Sequence, residues 1–486
     1  MTSCVLSLFF LLSLCSSISA HGPTGLKVRI TDRAPDVLKS FGQAYLKELI
    51  GKPFPDFQFK GMKVAKCKIK GLTVNRLDVD RDKVVVRFQQ DSGLQFEFRD
   101  LNFTAELQRE INVRGKIVDE GTVNVTGKGV RATIGVRLNQ NQGRLSLKIQ
   151  NCDVRADKIA MKFHQGLGHV LNRFKKQFQR LFKTKVCPAI KRHVVPKVNS
   201  MLANVTMAMS LSEDLGMNLD YSLSGEVTVT PSSLDVPFTG VVYHGDIRPA
   251  LPAAGIEPVF TESNRMAYVG ISEDLFKSAA QALYSHGPLQ LDVPQIGTIP
   301  NYVLHTWGLP EGRVEVELTE VPDVTISQDG VSVYVKAIAQ SLVNPDLPHL
   351  PVTCQVLINV DMEGCRLILQ ALSSKCKIEP KTIWGRFLAT FVDTSSKISS
   401  FIEEWFDEGV LIPLPDRLDF TQMKINYYPG FMVVGGDLTY TVQRAVLRSI
   451  HLSPTIAIDP GSSRKFQSFL FLILLILYIW FCKRCF

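Results

Sequence analysis

The segment Ala132–Ile149 reads ATIGVRLNQNQGRLSLKI. Ala132, Ile134, Val136 and Leu138 alternate with polar residues, Asn139–Gly143 breaks the pattern, and Leu145, Leu147 and Ile149 resume it. Successive side chains of a strand point to opposite faces, so this alternation predicts a hairpin with one apolar, buried face. The same period of two recurs outward along the chain. It runs through Leu94-Phe96-Phe98, Val314-Val316-Leu318 and Val331-Val333-Val335, the last entered through the turn signal Asp329-Gly330. Gly127-Lys128-Gly129 reads as one more turn. Antiparallel sheet therefore dominates the expected structure.

Four stretches switch to helical spacing. The first, near Asp32 to Ile50, carries Val37, Leu38, Phe41, Tyr45 and Leu49 on one face and stops at Gly51-Lys52-Pro53. The second, Phe163–Lys185, places Phe163, Leu167, Val170, Leu171, Phe174, Phe178, Leu181 and Phe182 on one stripe. At ~1.5 Å per residue it would be about 34 Å long. The third follows Ser272 as N-cap, with Leu275, Phe276, Ala279 and Leu283, and ends at Gly287. The fourth runs from Trp384 to Trp405. The order of helix, strands and long helix thus occurs twice, which predicts an internal duplication of structure. Between the halves, Asp246–Pro258 has three prolines and reads as a linker.

The 486 residues are 45% hydrophobic and 21% charged, with a net charge of +9. That composition excludes a disordered or collagenous chain and provides for sizeable cores. The charge is local. Lys158 to Ser212 holds eleven Lys and Arg and no acid, leaving 44 basic against 46 acidic residues elsewhere. Arg173, Lys175, Lys176, Arg180, Lys183 and Lys185 fill the polar surface of the second helix, and Lys191-Arg192-His193 extend it. The bland reading is a solvated helix face. The sharper one is contact with anionic lipid head groups, where each cation near a membrane surface contributes ~1 kcal/mol. No nucleic-acid partner is expected, because no recognition motif is present and the chain reads as exported.

Export is read from the ends. Met1 to Ala20 has an apolar core, VLSLFFLLSL, followed by small residues, as in a secretory signal peptide. Residues 466–482 are uncharged, at the lower limit of roughly 17–25 residues for a spanning helix, and Lys483-Arg484 follow as a cytoplasmic stub, 483–486. A C-terminal single-pass anchor is the preferred reading, and a lipid anchor with a small-residue site at Gly461-Ser462-Ser463 is the alternative. Six cysteines remain in the exported region: Cys67, Cys152, Cys187, Cys354, Cys365 and Cys376. An even number in an oxidising compartment favours disulfides, and no metal-ligand spacing occurs among them. Asn102, Asn124 and Asn204 begin glycosylation sequons.

No nucleophile elbow, zinc-protease helix, phosphate loop or dinucleotide fingerprint occurs in the chain. His164 and His169 are five apart, off the spacing for a shared metal on a helix. Neither an enzyme nor a bound metal or cofactor is expected.

Several segments together resemble the family of bactericidal/permeability-increasing protein, lipopolysaccharide-binding protein and the phospholipid and cholesteryl ester transfer proteins. They are Gly25-Leu-Lys-Val-Arg-Ile-Thr, the pair Cys152 and Cys187-Pro188 around the second helix, Leu219-Asp-Tyr-Ser-Leu, Leu234-Asp-Val with Tyr243, Arg265-Met-Ala-Tyr-Val-Gly-Ile-Ser-Glu, Pro413-Leu-Pro and Gly430-Phe431 with Gly435-Gly436-Asp437-Leu438. The resemblance covers about 25–441. It implies an α+β fold: two tandem barrels of twisted antiparallel sheet, each wrapped around a long helix and joined by a central sheet into an elongated boomerang. It also implies a Cys152–Cys187 disulfide and an apolar pocket for phospholipid acyl chains in each barrel. The domains expected are 1–20 signal, 21–225 N-terminal barrel, 226–264 central sheet and linker, 265–460 C-terminal barrel and 466–482 anchor. The chain departs from the family at the tip of the first barrel. There Leu107–Gly121 sets Arg109, Arg114 and Lys116 against Glu110, Asp119 and Glu120, a balance unlike the basic loop of lipopolysaccharide binders.

The function expected is extracellular binding or transfer of phospholipid or another acyl lipid, at a membrane surface and without catalysis. The rival expectations are recognition of bacterial lipopolysaccharide through the basic face, and an adhesion or scaffold ectodomain that carries no lipid.

Overall fold

The structure, a computed structural model, describes residues 24–37, 39, 50–51, 57–62, 65–78, 80–90, 93–166, 187–188, 191–192, 195–248, 255–293, 312–342, 349–363, 366–378, 410–411 and 418–440. The first half contains β1 (Leu26–Thr31), β2 (Phe57–Met62), β3 (Ala65–Asp78), β4 (Val84–Gln89), β5 (Gly93–Val113), β6 (Lys116–Asn141) and β7 (Arg144–Phe163). Helix α1 (Val195–Ala203) and β8 (Ala208–Ser212), β9 (Met217–Asp220), β10 (Thr228–Val229), β11 (Ser233–Phe238) and β12 (Val241–His244) follow. The second half opens with β13 (Ala267–Ser272) and helix α2 (Glu273–His286). It continues through β14 (Leu289–Val293), β15 (Gly312–Leu318), β16 (Asp323–Ser327), β17 (Gly330–Ser341), β18 (Leu350–Glu363) and β19 (Arg366–Ile378). The last strands are β20 (Val410–Leu411), β21 (Leu418–Tyr428) and β22 (Phe431–Tyr440).

Two antiparallel meanders carry the duplication. The N-terminal sheet has the order β2-β3-β5-β6-β7, with β4 folded back on the first part of β5. The C-terminal sheet has the order β14-β15-β17-β18-β19-β20, with β16 folded back on the first part of β17. The same branched topology thus occurs in both halves, and both sheets are open among the described residues. Between them lies a six-stranded sheet, β10-β11-β1-β13-β22-β21. Its centre is the antiparallel pair β1 and β13, each the first strand of its half, with Val28 opposite Val269. Each is flanked by a strand from near the end of its own half, β11 or β22. This arrangement is two-fold in topology, as the element order predicts. A small sheet, β12-β9-β8, packs against α2.

Alternation explains the core. In β5 and β6, Leu94, Phe96, Phe98, Ala132, Ile134, Val136 and Leu138 are all buried, while Gln95, Glu97, Thr133 and Arg137 between them are partly or fully exposed. The β6–β7 turn is tighter than Asn139–Gly143. The strands continue to Asn141 and from Arg144, and Gln142 and Gly143 both take positive φ (51° and 72°), the geometry that suits a twisted hairpin. Gly127-Lys128-Gly129 is not a turn but the interior of β6. Gly127 leaves room for the Phe103 ring, and Gly129 (φ 58°) lies where the pairing is interrupted, its N–H donating to Asn102 Oδ1 at 3.1 Å.

Helix α2 forms as its signals dictate. Ser272 Oγ accepts from the Asp274 N–H, Glu273 and Asp274 occupy the positive N-terminal turn, and Gly287 (φ 93°) ends it. Of the helix expected at 32–50, residues 35–37 and 39 are helical; most of the rest lies outside the described residues. Phe163 does not open a helix, although the spacing of its apolar neighbours predicts one there. Phe163 is the last residue of β7, opposite Val123, and Gln165 and Gly166 turn with φ of 61° and 47°. Residues 167–186, the helix expected at 384–405 and the segment 466–482 lie outside the described residues. Among those described, no helix is long and apolar enough to cross a membrane.

Candidate functional site

The β5–β6 hairpin ends in a two-residue turn, Arg114-Gly115, with both φ positive (49° and 89°). Asn112 Oδ1 accepts from the Gly115 N–H at 2.9 Å and holds the turn. On the return strand Ile117 and Val118 are 56% and 52% exposed. Two adjacent apolar residues break the alternation of β6, so one cannot face inward in register with the other. Here both stand in solvent between Arg114 and Lys116 on one side and Glu120 on the other, all exposed.

Two of the three acids that balance this tip in the sequence are engaged. Asp119 is buried and receives Arg109 Nε at 2.9 Å. The Arg109 guanidinium also donates to the carbonyls of Thr122 (3.2 Å), His164 (2.9 Å) and Gln165 (2.9 Å), and it lies over the Phe163 ring. Arg109 is itself only 4% exposed, so it is not a surface cation. Glu110 pairs with Lys70. The three-against-three balance of Leu107–Gly121 therefore becomes, at the surface, Arg114 and Lys116 with two bare aliphatic side chains against Glu120. The sequence signal for this was present in the adjacent Ile117-Val118, but charge counting hid it.

Arg109 also fixes where the chain leaves β7. It ties the tip hairpin to His164 and Gln165, the doorway to the basic segment. The far end of that segment is held by the Cys152–Cys187 disulfide, with the Cα atoms 5.8 Å apart. Of the cations expected to meet head groups, Arg173, Lys175, Lys176, Arg180, Lys183 and Lys185 all lie outside the described residues. A second disulfide joins Cys354 and Cys376, which face each other directly across β18 and β19. Cys67 lies on β3, opposite Phe59 on β2 and Ile111 on β5, and Cys365 lies outside the described residues.

The sequons differ in their surroundings. Asn124 is exposed on β6, 3.4 Å from His164 Nε2, and Asn204 is exposed in the turn after α1. Asn102 is half-buried, with its amide oxygen committed to Gly129. Among the described residues no group of three His, Cys, Asp or Glu could hold a metal ion. A pocket of about 310 Å³ lies where β6 meets the residues before β11, lined by Arg137, Asn139, Glu226 and Thr228 among others. Its lining is too polar for an acyl chain. Nearby, Tyr221 donates to the Thr206 carbonyl at 2.6 Å, and burial, with the Asp220 charge, pushes its phenol up to about 12.

Comparison with known proteins gives these features a context. Residues 30–205 match the model of the LBP / BPI / CETP family, N-terminal domain, and 211–301 that of its C-terminal domain. The chain is 25% identical to phospholipid transfer protein of Mus musculus over 470 residues, 88% of this chain and 92% of that one. It is 26% identical to lipopolysaccharide-binding protein of Bos taurus over 277 residues, 55% of this chain and 52% of the relative. A crystal structure of lipopolysaccharide binding protein aligns over 86% of this chain with a TM-score of 0.48 and 17% identity. With both of its domain models matched in order along the sequence, the chain belongs to the LBP / BPI / CETP family.

Proposed function

We propose that the chain is an extracellular phospholipid carrier that takes up or transfers lipid at a membrane surface. The observation that carries this reading is the continuous apolar inner face of β5, β6 and β7. These strands are 21, 26 and 20 residues long, and their inward side chains are buried along nearly their whole length. At ~3.3 Å per residue the longest extends about 86 Å. Acyl chains suit such a face: each buried CH₂ is worth ~0.8 kcal/mol, so a sixteen-carbon chain gains roughly 12 kcal/mol before ordering costs. The near full-length likeness to phospholipid transfer protein supports the same reading.

The barrel expected around a long helix belongs to this proposal. Gly166 starts near the tip, and Cys187 returns to Cys152, eleven residues back along β7 from Phe163. Eleven strand residues span about 36 Å. A helix over the twenty-one steps from 166 to 187 spans about 32 Å. A helix laid along β7 would therefore join the two anchors without slack, and its cations from Arg173 to Lys185 would lie along the module. Tethering through 466–482 and glycosylation at Asn124 and Asn204 complete the picture of a cell-surface protein.

The test is to purify the exported chain, extract it and identify co-purified lipid by mass spectrometry, then follow labelled phospholipid between vesicles. Absence of both bound phospholipid and transfer overturns the proposal. A second reading, recognition of bacterial lipopolysaccharide, is favoured by the exposed pair Arg114 and Lys116 at the tip. It requires salt-sensitive lipopolysaccharide binding that falls when those two and Lys175, Lys176, Arg180 and Lys183 become Gln.

A further inference from the structure

The outer face of the β6–β7 hairpin sets cation against cation. Lys128 pairs in register with Lys158, Arg131 with Arg155, and Arg137 with Lys148, and all six are exposed. Lys162, opposite Asn124, extends the row. Like charges directly across a sheet are destabilising, and three such pairs on one hairpin would not arise from a need for stability. Asp157 bridges Arg131, and Asp153 bridges Arg155. Lys128, Lys158, Arg137, Lys148 and Lys162 have no acidic partner among the described residues. Seven cations thus face two carboxylates. The neighbouring strand adds no counter-charge along most of the row, because Glu97 is held by Arg99 and Arg87. Glu106 and Glu226 stand at its two ends, Glu226 bonded to the Gln140 N–H.

The row is long and narrow. From Asn124 to Arg137 is thirteen residues, about 43 Å, and the width is two strands, about 5 Å between backbones. The cations form two groups, one from Lys162 past Lys128 to Arg131 and Arg155 and one at Arg137 and Lys148, with about 20 Å between Arg131 and Arg137. No large apolar side chain is exposed on β6 beyond Val118 or on β7. A bilayer would favour apolar residues to insert, and a single-stranded nucleic acid would favour aromatic residues on which bases stack. A linear polyanion needs neither.

We propose that this face is a binding site for a linear sulfated polysaccharide of the extracellular surface, distinct from the lipid-binding interior and the Arg114–Val118 tip. The source of the polyanion rests on the reading of the chain as exported. Such a polymer would lie along the hairpin, bridge both cation groups and relieve the cross-strand repulsion.

The test uses the full-length chain on immobilised heparin across a salt series, beside a variant in which Lys128, Lys148 and Lys158 become Gln and Arg137 becomes Gln. The wild type should bind at physiological salt. The variant should bind about ten- to a hundredfold more weakly, with a salt slope shallower by about three, since four charges each release roughly 0.7–0.9 counterions. A variant with Lys128, Lys148 and Lys158 changed to Arg should bind like the wild type. Unchanged heparin binding in the Gln variant, or none in the wild type, overturns the proposal. So does an equal loss of binding to phosphatidylcholine–phosphatidylglycerol vesicles, which would assign the face to membranes. Phospholipid transfer measured on the same preparations reads the carrier function separately and should be unaffected.

Discussion

Arg109 is the residue whose role differs most from its appearance in the sequence, where it is one cation among three in a surface loop. In the structure, Nε, Nη1 and Nη2 donate to the Asp119 carboxylate and to three carbonyls, in a site with almost no solvent. Replacing it alone removes the ion-pair partner of the buried Asp119, a loss of about 3–5 kcal/mol. Arg109→Leu should therefore unfold at markedly lower urea, whereas Arg109→Leu with Asp119→Leu should recover much of the loss, because the desolvated charges leave together. A single-variant midpoint equal to the wild type would remove Arg109 from this role. Tyr221 gives a pH readout at the same scale. Its phenol is held up to about 12 by burial, against ~10 in the unfolded chain. The folded state thus favours the neutral phenol, and the associated stability is intact below pH 10 and declines as pH rises from ~10 towards 12. Tyr221→Phe should lose about 1 kcal/mol at neutral pH, with the hydrogen bond to Thr206, and flatten that alkaline decline. Denaturant melts between pH 8 and 12 measure both.

At the scale of elements, the two disulfides close loops of different length in different settings. Cys152–Cys187 encloses 35 residues, and Cys354–Cys376 staples two strands already paired, 22 residues apart. Loop-closure entropy assigns about 4 kcal/mol to the first and about 3 kcal/mol to the second. Changing Cys152 and Cys187 to Ser should cost the larger amount in equilibrium unfolding. It should also release the far end of the basic segment, making cleavage after its lysines faster in limited proteolysis. Equal protease resistance in this variant and in one with Cys354 and Cys376 changed to Ser would refute that asymmetry. The elements legible in the sequence are those whose signals are local. The 132–149 hairpin, the Asp329-Gly330 turn and α2 with its Ser272 cap form where period and cap agree. Gly127-Lys128-Gly129 misleads because a glycine in a strand and one in a turn look alike in sequence. Only the Phe103 ring against Gly127 and the Asn102 bond to Gly129 tell them apart. Phe163 misleads in the same way, since its spacing from Leu167 suits a helix while its neighbour Val123, forty residues back, makes it a strand end. Long-range partners, including Cys354 and Cys376, leave no such local trace.

For the whole molecule, the proposed carrier divides its work between an interior that holds lipid and a tip that meets the surface supplying it. The two are separable by mutation, because Ile117 and Val118 take no part in the buried core. Inserting both into a bilayer would gain roughly 1.5–3 kcal/mol each, enough to hold the tip there transiently and let it leave again. Ile117→Asp with Val118→Asp should therefore purify with phospholipid as the wild type does, yet bind vesicles at least tenfold more weakly and transfer lipid correspondingly more slowly. Arg114→Asn is the companion variant. Asn suits the left-handed first position of this turn better than Arg, so stability should hold or rise while attraction to anionic vesicles falls, and the fall should vanish at high salt. Co-purified lipid by mass spectrometry, vesicle sedimentation and fluorescent lipid transfer resolve the three quantities. If the double aspartate variant transfers lipid at the wild-type rate, the tip is not the point of contact. If it loses bound lipid instead, tip and interior are one site, and the division between them fails.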